Sequence, residues 1–195
     1  RSQVCIVAQD TFLFSDTIGS NISFGAGDRG NRLEYNGQYD GQRRRRGYDE
    51  QYVRRMAAIA GADGFISSMP DGYDTVVGER GVGLSGGQKQ RLSLARALAD
   101  NPSILIMDDT TSAVDMETEA EIQRHLRDLD EKKTIVTIAH RISSVKDSDL
   151  ILVLEHGRIV ERGTHDELVA SHGRYWQIYS KQLGVDAGRS QGFEA

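Results

Sequence analysis

Apolar residues occur along the chain in two kinds of pattern. Short continuous runs, which predict buried strands, stand at Val4–Ala8, Ile104–Met107, Thr134–Ala139 and Leu150–Leu154. Between these runs, apolar residues recur at helical spacing, as do Val53, Met56, Ala57 and Ala60 in one segment and Ile122, Leu126 and Leu129 in another. Strands that alternate with helices predict an α/β fold with a mainly parallel sheet.

Residues suited to helix ends mark the limits of two further helices. Ser85 is expected to cap one, and Asp100-Asn101-Pro102 is expected to stop it, because proline disfavours helical geometry in the residue before it. Thr164 and Glu167 form a capping box that opens the other, and Gly173 is its expected end.

A change in composition divides the chain. Residues 25–47 are rich in Gly, Arg, Asn, Asp and Gln, which predicts a long surface loop or a disordered insert. Within them, Arg43–Arg46 favours a solvated loop over contact with acidic lipid or a partner. We therefore expect core segments at residues 1–17 and 101–185, a mainly helical inserted subdomain at 18–100, and a frayed tail at 186–195.

Composition narrows the function classes. The formal net charge is −5, with 38% hydrophobic and 27% charged residues. This balance is ordinary for a globular domain and argues against a generally basic surface for nucleic acid. Cys5 is the one cysteine and lies in an apolar run, so a disulfide framework is excluded and a buried small side chain is favoured over a nucleophile. No run approaches the ~18 apolar residues that a membrane-spanning helix needs.

The segment Leu84-Ser85-Gly86-Gly87-Gln88 is the first candidate for chemistry. Two adjacent glycines at a helix start disfavour the helix by about 1 kcal/mol each relative to alanine. Such glycines allow backbone amides to approach a ligand closely, and a helix N-terminus favours phosphate. An ordinary loop is the alternative for this segment taken alone.

Polar residues follow two of the predicted strands. Asp108 and Asp109 come directly after Ile104–Met107, where a first carboxylate is suited to Mg²⁺ and a second to orienting water. In isolation, two carboxylates at a strand end are also suited to capping a helix. His140 follows Thr134–Ala139, and a purely structural histidine is the alternative there.

Together these segments resemble the nucleotide-binding domains of ABC ATPases, and specifically those of type IV exporters. The residues that match the family's motifs are Gln9 for the Q-loop; Val77, Gly78, Glu79, Arg80 and Gly81 for the X-loop; Leu84, Ser85, Gly86, Gly87 and Gln88 for the signature; Asp108 for Walker B; Ser112, Ala113, Val114 and Asp115 for the D-loop; and His140 for the H-switch. The resemblance implies a RecA-like P-loop NTPase core, truncated at its N-terminus, with an inserted α-helical signature subdomain.

The resemblance also implies roles and partners. ATP is the expected ligand, with Mg²⁺ held by Asp108 and Gln9, and Asp109, His140 and Gln9 are the expected catalytic residues. The signature is expected to contact the nucleotide of a second ABC domain, and the X-loop to sense membrane domains at the cytoplasmic face of the membrane. A soluble ABC ATPase acting on nucleic acid or the ribosome, and a truncated non-catalytic ABC module, are the alternatives.

The sequence departs from the family pattern in two places. It contains no G-x-x-x-x-G-K-[ST] phosphate loop, so we expect the chain by itself to bind ATP weakly or not at all and to be inactive. Asp109 stands where most members have glutamate, and its carboxylate is set back by one carbon–carbon bond, about 1.5 Å. Thr110-Thr111 replaces the usual Pro-Thr. These changes suggest the degenerate half of a heterodimeric exporter.

Overall fold

A computed structural model describes residues 3–9, 12–26, 48–78, 81, 83–129 and 133–184 of the 195-residue chain. The chain divides into two compact units, residues 1–138 and residues 139–195.

The first unit contains a three-stranded parallel sheet. Its strands are β1 (Val4–Val7), β2 (Ile104–Asp108) and β3 (Thr134–Ile138), in the order β1-β2-β3. Each strand coincides with one of the apolar runs, and the parallel pairing confirms the predicted α/β fold. Val7 pairs with Met107 and Asp108 with Ile138, so the carboxyl ends of all three strands lie at one edge of the sheet.

Five α-helices accompany this sheet in the described part of the first unit. They are α1 (Ile18–Ala26), α2 (Glu50–Ile59), α3 (Asp63–Ser67), α4 (Gly86–Ala99) and α5 (Met116–Arg127), with a 3₁₀ turn at Gly72–Asp74. Ile122 and Leu126 are buried on α5 as predicted, whereas Leu129 lies beyond the end of that helix and only lines the core.

Helix α4 packs so closely against α1 that a side chain at the crossing is excluded. A Cβ added to Gly25 would lie 1.9 Å from the backbone carbonyl oxygen of Arg96, which is far inside contact distance. The core around this crossing includes Ile18, Ile22, Leu92 and Leu98, each at most 2% exposed. The small residue at position 25 therefore sets the separation of the two helices.

The second unit is a hairpin with two helices. β4 (Ile151–Glu155) pairs antiparallel with β5 (Arg158–Gly163) through a turn at His156-Gly157, where both residues have positive φ. The capping box of Thr164 and Glu167 opens α6 (His165–Ala170) as predicted. The expectation that Gly173 ends this helix is wrong: α6 stops at Ala170, and Gly173 instead precedes α7 (Arg174–Leu183) as its N-cap.

Some predictions fall outside the described residues. Residues 27–47 of the expected insert, including Arg43–Arg46, are among them, as are Glu79, Arg80 and the tail at 186–195. Gly25 and Ala26, the first residues of the expected insert, belong to α1. None of the helices in the described ranges combines the length and the apolar character needed to cross a bilayer.

Candidate functional site

Helix α4 begins with a complete capping box. The Ser85 hydroxyl accepts a hydrogen bond from the Gln88 amide at 3.2 Å, and the Gln88 side-chain oxygen accepts one from the Ser85 amide at 2.9 Å. This confirms Ser85 as the N-cap. The first turn carries no acidic residue, so no side chain of the helix itself offsets the positive end of its dipole. Leu84 anchors the approach to the cap by packing against the core.

The two glycines of this turn are in different surroundings. Gly87 is buried, and a Cβ there would lie 2.6 Å from the backbone oxygen of Ala113, so the packing of this chain requires glycine. Gly86 is exposed, and a Cβ there would meet only the Ala113 side chain at an ordinary 3.6 Å. Nothing in the described chain requires glycine at position 86.

Three of the predicted site residues follow neighbouring strands at one edge of the sheet. Asp108 ends β2, Asp109 follows it, and Gln9 comes two residues after β1. Val7 of β1 pairs with Met107 of β2, and Gln9 and Asp109 each lie two residues beyond that pair. The first unit therefore brings these three residues to the same edge.

Asp109 has an unusual backbone conformation. Its φ is +48°, in the left-handed region that aspartate tolerates better than most residues do. Its amide donates to the Ile138 carbonyl at 2.9 Å, and its own carbonyl accepts from the Ser112 hydroxyl at 2.9 Å. The main chain that carries this carboxylate is thus held on both sides.

The two threonines that depart from the family pattern are both buried and both donate hydrogen bonds. The Thr110 hydroxyl donates to the Val7 carbonyl at 3.3 Å, which joins this turn to the end of β1. The Thr111 hydroxyl donates to the Glu119 carboxylate at 2.7 Å. Proline at position 110 could not make the first of these contacts.

The segment Ser112–Asp115 leads into α5. Val114 is buried, Ala113 is exposed, and Asp115 is the N-cap of the helix. Hydrogen bonds from the Thr118 amide and then from the Thr118 hydroxyl, each 2.9 Å long, lower the pKa of the Asp115 carboxyl below its ordinary value. Helix capping, the alternative weighed for the strand-end carboxylates, is therefore carried out by Asp115.

Sequence reasoning did not single out Gln90, which lies on α4 and is 6% exposed. Its side-chain oxygen accepts from the Ala113 amide at 3.2 Å, and its side-chain nitrogen donates to the Ser112 hydroxyl at 3.3 Å and the Asp109 carbonyl at 3.5 Å. A glutamine on a helix face gives no signal of partners about twenty residues away, so this link emerges only from the fold.

Arg96 is a second residue that the sequence pattern did not identify. Its guanidinium donates to the carbonyls of Phe12 and Asn21, both at 2.8 Å, and to the Asn21 side-chain oxygen. It also lies over the Phe14 ring, 5.1 Å from its centroid, and that ring contacts Phe24. Arg96 thus fixes the segment that follows Gln9 against α4.

The segment assigned to the X-loop runs beside the start of α1. Val77 is buried, and its amide donates to the Asp16 carbonyl at 2.9 Å. Gly81 has a φ of +77° and accepts from the Leu84 amide at 3.1 Å, which connects this segment to α4. Gly78 accepts from the Gly81 amide at 2.9 Å.

His140 belongs to the second unit. Its side chain is exposed, and its backbone carbonyl accepts a 2.7 Å hydrogen bond from the Gln182 side chain. Gln182 also accepts from the Ile142 amide at 2.9 Å, so α7 holds the backbone on both sides of Arg141. A catalytic role for His140 stays a prediction.

The donors at the sheet edge suit Mg²⁺. Asp108 and Gln9 offer carboxylate and amide oxygens, the ligands that this hard cation prefers, and it commonly takes one or two protein ligands together with substrate phosphate and water. Within the part of the chain that the structure describes, no group of three or more His, Cys, Asp or Glu side chains could hold a metal ion by itself.

Comparisons with known proteins agree with these observations. Residues 1–112 match the family described as ABC transporter. The chain is 50% identical over 182 residues to the uncharacterized ABC transporter ATP-binding protein YknU of Bacillus subtilis, and 43% identical over 184 residues to an ATP-dependent lipid A-core flippase of Photobacterium profundum. These matches cover 93% and 94% of the chain but only 28% of each relative.

A solved structure is similar as well. It is a bacterial Atm1-family ABC exporter with ATP bound, with a TM-score of 0.78 and 41% identity, matched over 92% of this chain and 28% of its own. This similarity agrees with the α/β core described above, and the chain spans little more than a quarter of the length of these proteins.

Proposed function

Since this chain belongs to the ABC transporter family, we propose that it is the ATP-binding and ATP-hydrolysing domain of a larger membrane exporter. In this role it couples ATP-driven pairing of two such domains to transport. The chain then works at the cytoplasmic face of the membrane, with membrane domains and a second ABC domain as its partners. Its relatives include a lipid A-core flippase and an Atm1-family exporter, which supports this proposal.

The single observation that carries the proposal is the first turn of α4. Its capping box fixes the helix start, and no acidic side chain in the first turn offsets the helix dipole. A Cβ at Gly86 would make only an ordinary 3.6 Å contact, so the packing of this chain does not require glycine there. A ligand that approaches from outside the chain explains that glycine, and a helix N-terminus of this kind favours a phosphate. The signature residues Leu84–Gln88 therefore serve a nucleotide, and we assign it to the partner domain's site.

The sheet edge serves the chain's own nucleotide. Asp108 and Gln9 would hold Mg²⁺, which when bound neutralises phosphate charge. Asp109, next to Asp108, is suited to orienting the water that attacks the terminal phosphate, and its anchored backbone limits where its carboxylate can lie. We also propose a catalytic role for His140.

The experiment that tests this function uses the full-length protein in lipid nanodiscs. With the partner domain's own site inactivated, we expect Mg²⁺-dependent release of phosphate from ATP, and we expect Asp108→Asn to lower it by about a hundredfold or more. Ser67→Ala, an exposed substitution at the end of α3, is the matched control and should leave the rate unchanged. Equal rates for wild type and Asp108→Asn would contradict the proposal.

We extend the proposal to the activity of this site. Asp109 is one methylene shorter than glutamate, and a displacement of about 1 Å at a catalytic group can cost about a hundredfold in rate. We therefore assign a slow site to this chain, as one half of a heterodimer whose other site hydrolyses ATP faster. In the full-length heterodimer, Asp109→Glu should raise phosphate release at this chain's site, and unchanged turnover at both sites would remove the support for degeneracy.

The 195-residue chain alone is expected to bind ATP weakly and to be inactive, because its sequence holds no phosphate loop. Isothermal titration of the chain with ATP and Mg²⁺ measures this directly. Micromolar affinity would refute the expectation. The segment Val77–Gly81, with Glu79 and Arg80, remains our candidate for contact with the membrane domains.

A further inference from the structure

Gln90 is the side chain that joins the signature helix to the loop carrying Asp109. It is 6% exposed, and both ends of its amide are engaged. The oxygen accepts from the Ala113 amide, while the nitrogen donates to the Ser112 hydroxyl and, at greater length, to the Asp109 carbonyl. Three residues of one loop therefore converge on one side chain of α4.

A second contact brings the same two segments together one turn earlier in the helix. Gly87 lies so near Ala113 that even a Cβ would fall 2.6 Å from the Ala113 oxygen. Ser112 adds a bond within the loop, since its hydroxyl donates to the Asp109 carbonyl at 2.9 Å. The helix start and the loop are therefore in close contact through backbone at Gly87 and through hydrogen bonds at Gln90.

The buried position of Gln90 makes its hydrogen bonds consequential. A buried amide is costly to leave without partners, and removing it would also deprive the Ala113 amide of its acceptor. An apolar side chain of the same length would fill the space equally well but would leave the loop tied only by packing. The glutamine is thus suited to fixing the position of the loop rather than to filling the core.

From these contacts we infer that Gln90 is a positioning residue that makes the signature turn and the Asp109 loop move as one body. The inference rests on the proposed function, in which the signature serves the partner's nucleotide and Asp109 serves this chain's own. Closure of the signature on one nucleotide then also sets the position of the Asp109 carboxylate for the other. Gln90 acts through Asp109 and the loop and does not itself touch a nucleotide.

The test compares three variants of the full-length protein in nanodiscs. Gln90→Met keeps the length of the side chain and removes all its hydrogen bonds. Gln90→Glu keeps an acceptor for the Ala113 amide but, when ionised, has no donor for Ser112. Leu94→Val, one turn further along α4, is the control, because it removes a methylene from a buried side chain and keeps the hydrogen bonds of Gln90.

Two quantities are measured for each variant. The first is ATP hydrolysis at this chain's own site, with the partner domain's own site inactivated, resolved into kcat and KM. The second is hydrogen–deuterium exchange of the peptide that contains residues 110–116. For Gln90→Met we expect kcat to fall about tenfold, in the range that misplacing a catalytic group produces, with KM for ATP within about twofold. Exchange at the Ala113 amide should rise roughly threefold to tenfold, the ratio that the net energy of one hydrogen bond allows.

Intermediate values for Gln90→Glu and wild-type values for Leu94→Val would support the positioning role. Wild-type kcat and exchange in Gln90→Met would overturn it, as would equal losses in Leu94→Val, since the effect would then be general loosening. If the wild-type protein hydrolysed no ATP, the proposed function would fail, while the exchange of Ala113 would still decide whether Gln90 holds the loop.

Discussion

Alanine substitutions at Gly86 and Gly87, the two glycines of the signature turn, are expected to have different effects on stability and on ATP hydrolysis. Alanine at either position replaces a residue that disfavours helix, and at a compatible backbone this change stabilises a fold by about 0.4–1 kcal/mol. At Gly86 the added Cβ meets only an ordinary 3.6 Å contact, so Gly86→Ala should be more stable than wild type by about that amount. On the proposed function its ATP hydrolysis should nevertheless fall, because the methyl group would occupy the space assigned to a phosphate.

At Gly87 the same substitution is expected to lower stability instead of raising it. The added Cβ would lie 2.6 Å from the Ala113 oxygen, about 0.7 Å inside an ordinary carbon–oxygen contact of ~3.3 Å. Backbone must shift to relieve this overlap, and overpacking of this kind costs about 1–3 kcal/mol. Gly87→Ala should therefore be less stable than wild type, although the change in helix propensity is the same.

The assay pairs urea unfolding of the 195-residue chain, followed by circular dichroism, with ATP hydrolysis by the full-length protein. Gly64→Ala is the control, since Gly64 lies in helix α3 with nothing within 4 Å of its added Cβ. Two results would refute the reasoning. Equal stability of Gly86→Ala and Gly87→Ala would deny the close approach at Ala113. Wild-type hydrolysis in Gly86→Ala would show that no ligand needs that space.

Two further predictions concern stability. Gly25→Ala places a Cβ 1.9 Å from the Arg96 backbone oxygen and should lower the unfolding free energy by at least ~1–3 kcal/mol in urea titration, whereas a wild-type midpoint would contradict the α1–α4 packing. In the second unit, burial, with a smaller contribution from Tyr179, raises the pKa of Tyr175 to about 12. A raised folded pKa means that its contribution is complete below the unfolded value near ~10 and is lost as pH rises towards about 12. Tyr175→Phe should therefore flatten the fall of stability over this range, and an unchanged slope would be evidence against the shift.

Much of the fold follows from local patterns in the sequence. The three strands of the first unit coincide with apolar runs, although the described chain leaves Ile6 of β1 and Val136 and Ile138 of β3 exposed. Helix starts at Ser85 and Thr164 were predictable because a cap and its partner lie within four residues of each other. The Ser85–Gln88 pair carries the same capping-box signal as Thr164–Glu167.

The features that the sequence did not reveal depend on contacts between distant segments. Gln90 reaches residues about twenty positions away, and Arg96 reaches carbonyls of Phe12 and Asn21, more than seventy positions away. Every residue type has a backbone carbonyl, so the sequence does not indicate which carbonyl accepts a given hydrogen bond. The residue type of Gly173 does not locate the end of α6, because glycine is suited to a helix end but is here the N-cap of α7.

The hydroxyl of Ser85 has two separate capacities, and the capping box uses one. An oxygen lone pair accepts the Gln88 amide, which leaves the hydroxyl proton free to be donated to an incoming phosphate without opening the helix. Aspartate and asparagine cap helices about as well as serine does, yet aspartate has no proton to offer and would repel an anion. On the proposed function, a library of variants at residue 85 selected for folding alone would accept all three residues, whereas one selected for transport would reject aspartate. The difference between the residues accepted in the two selections separates the contribution of Ser85 to helix capping from its contribution to ligand binding.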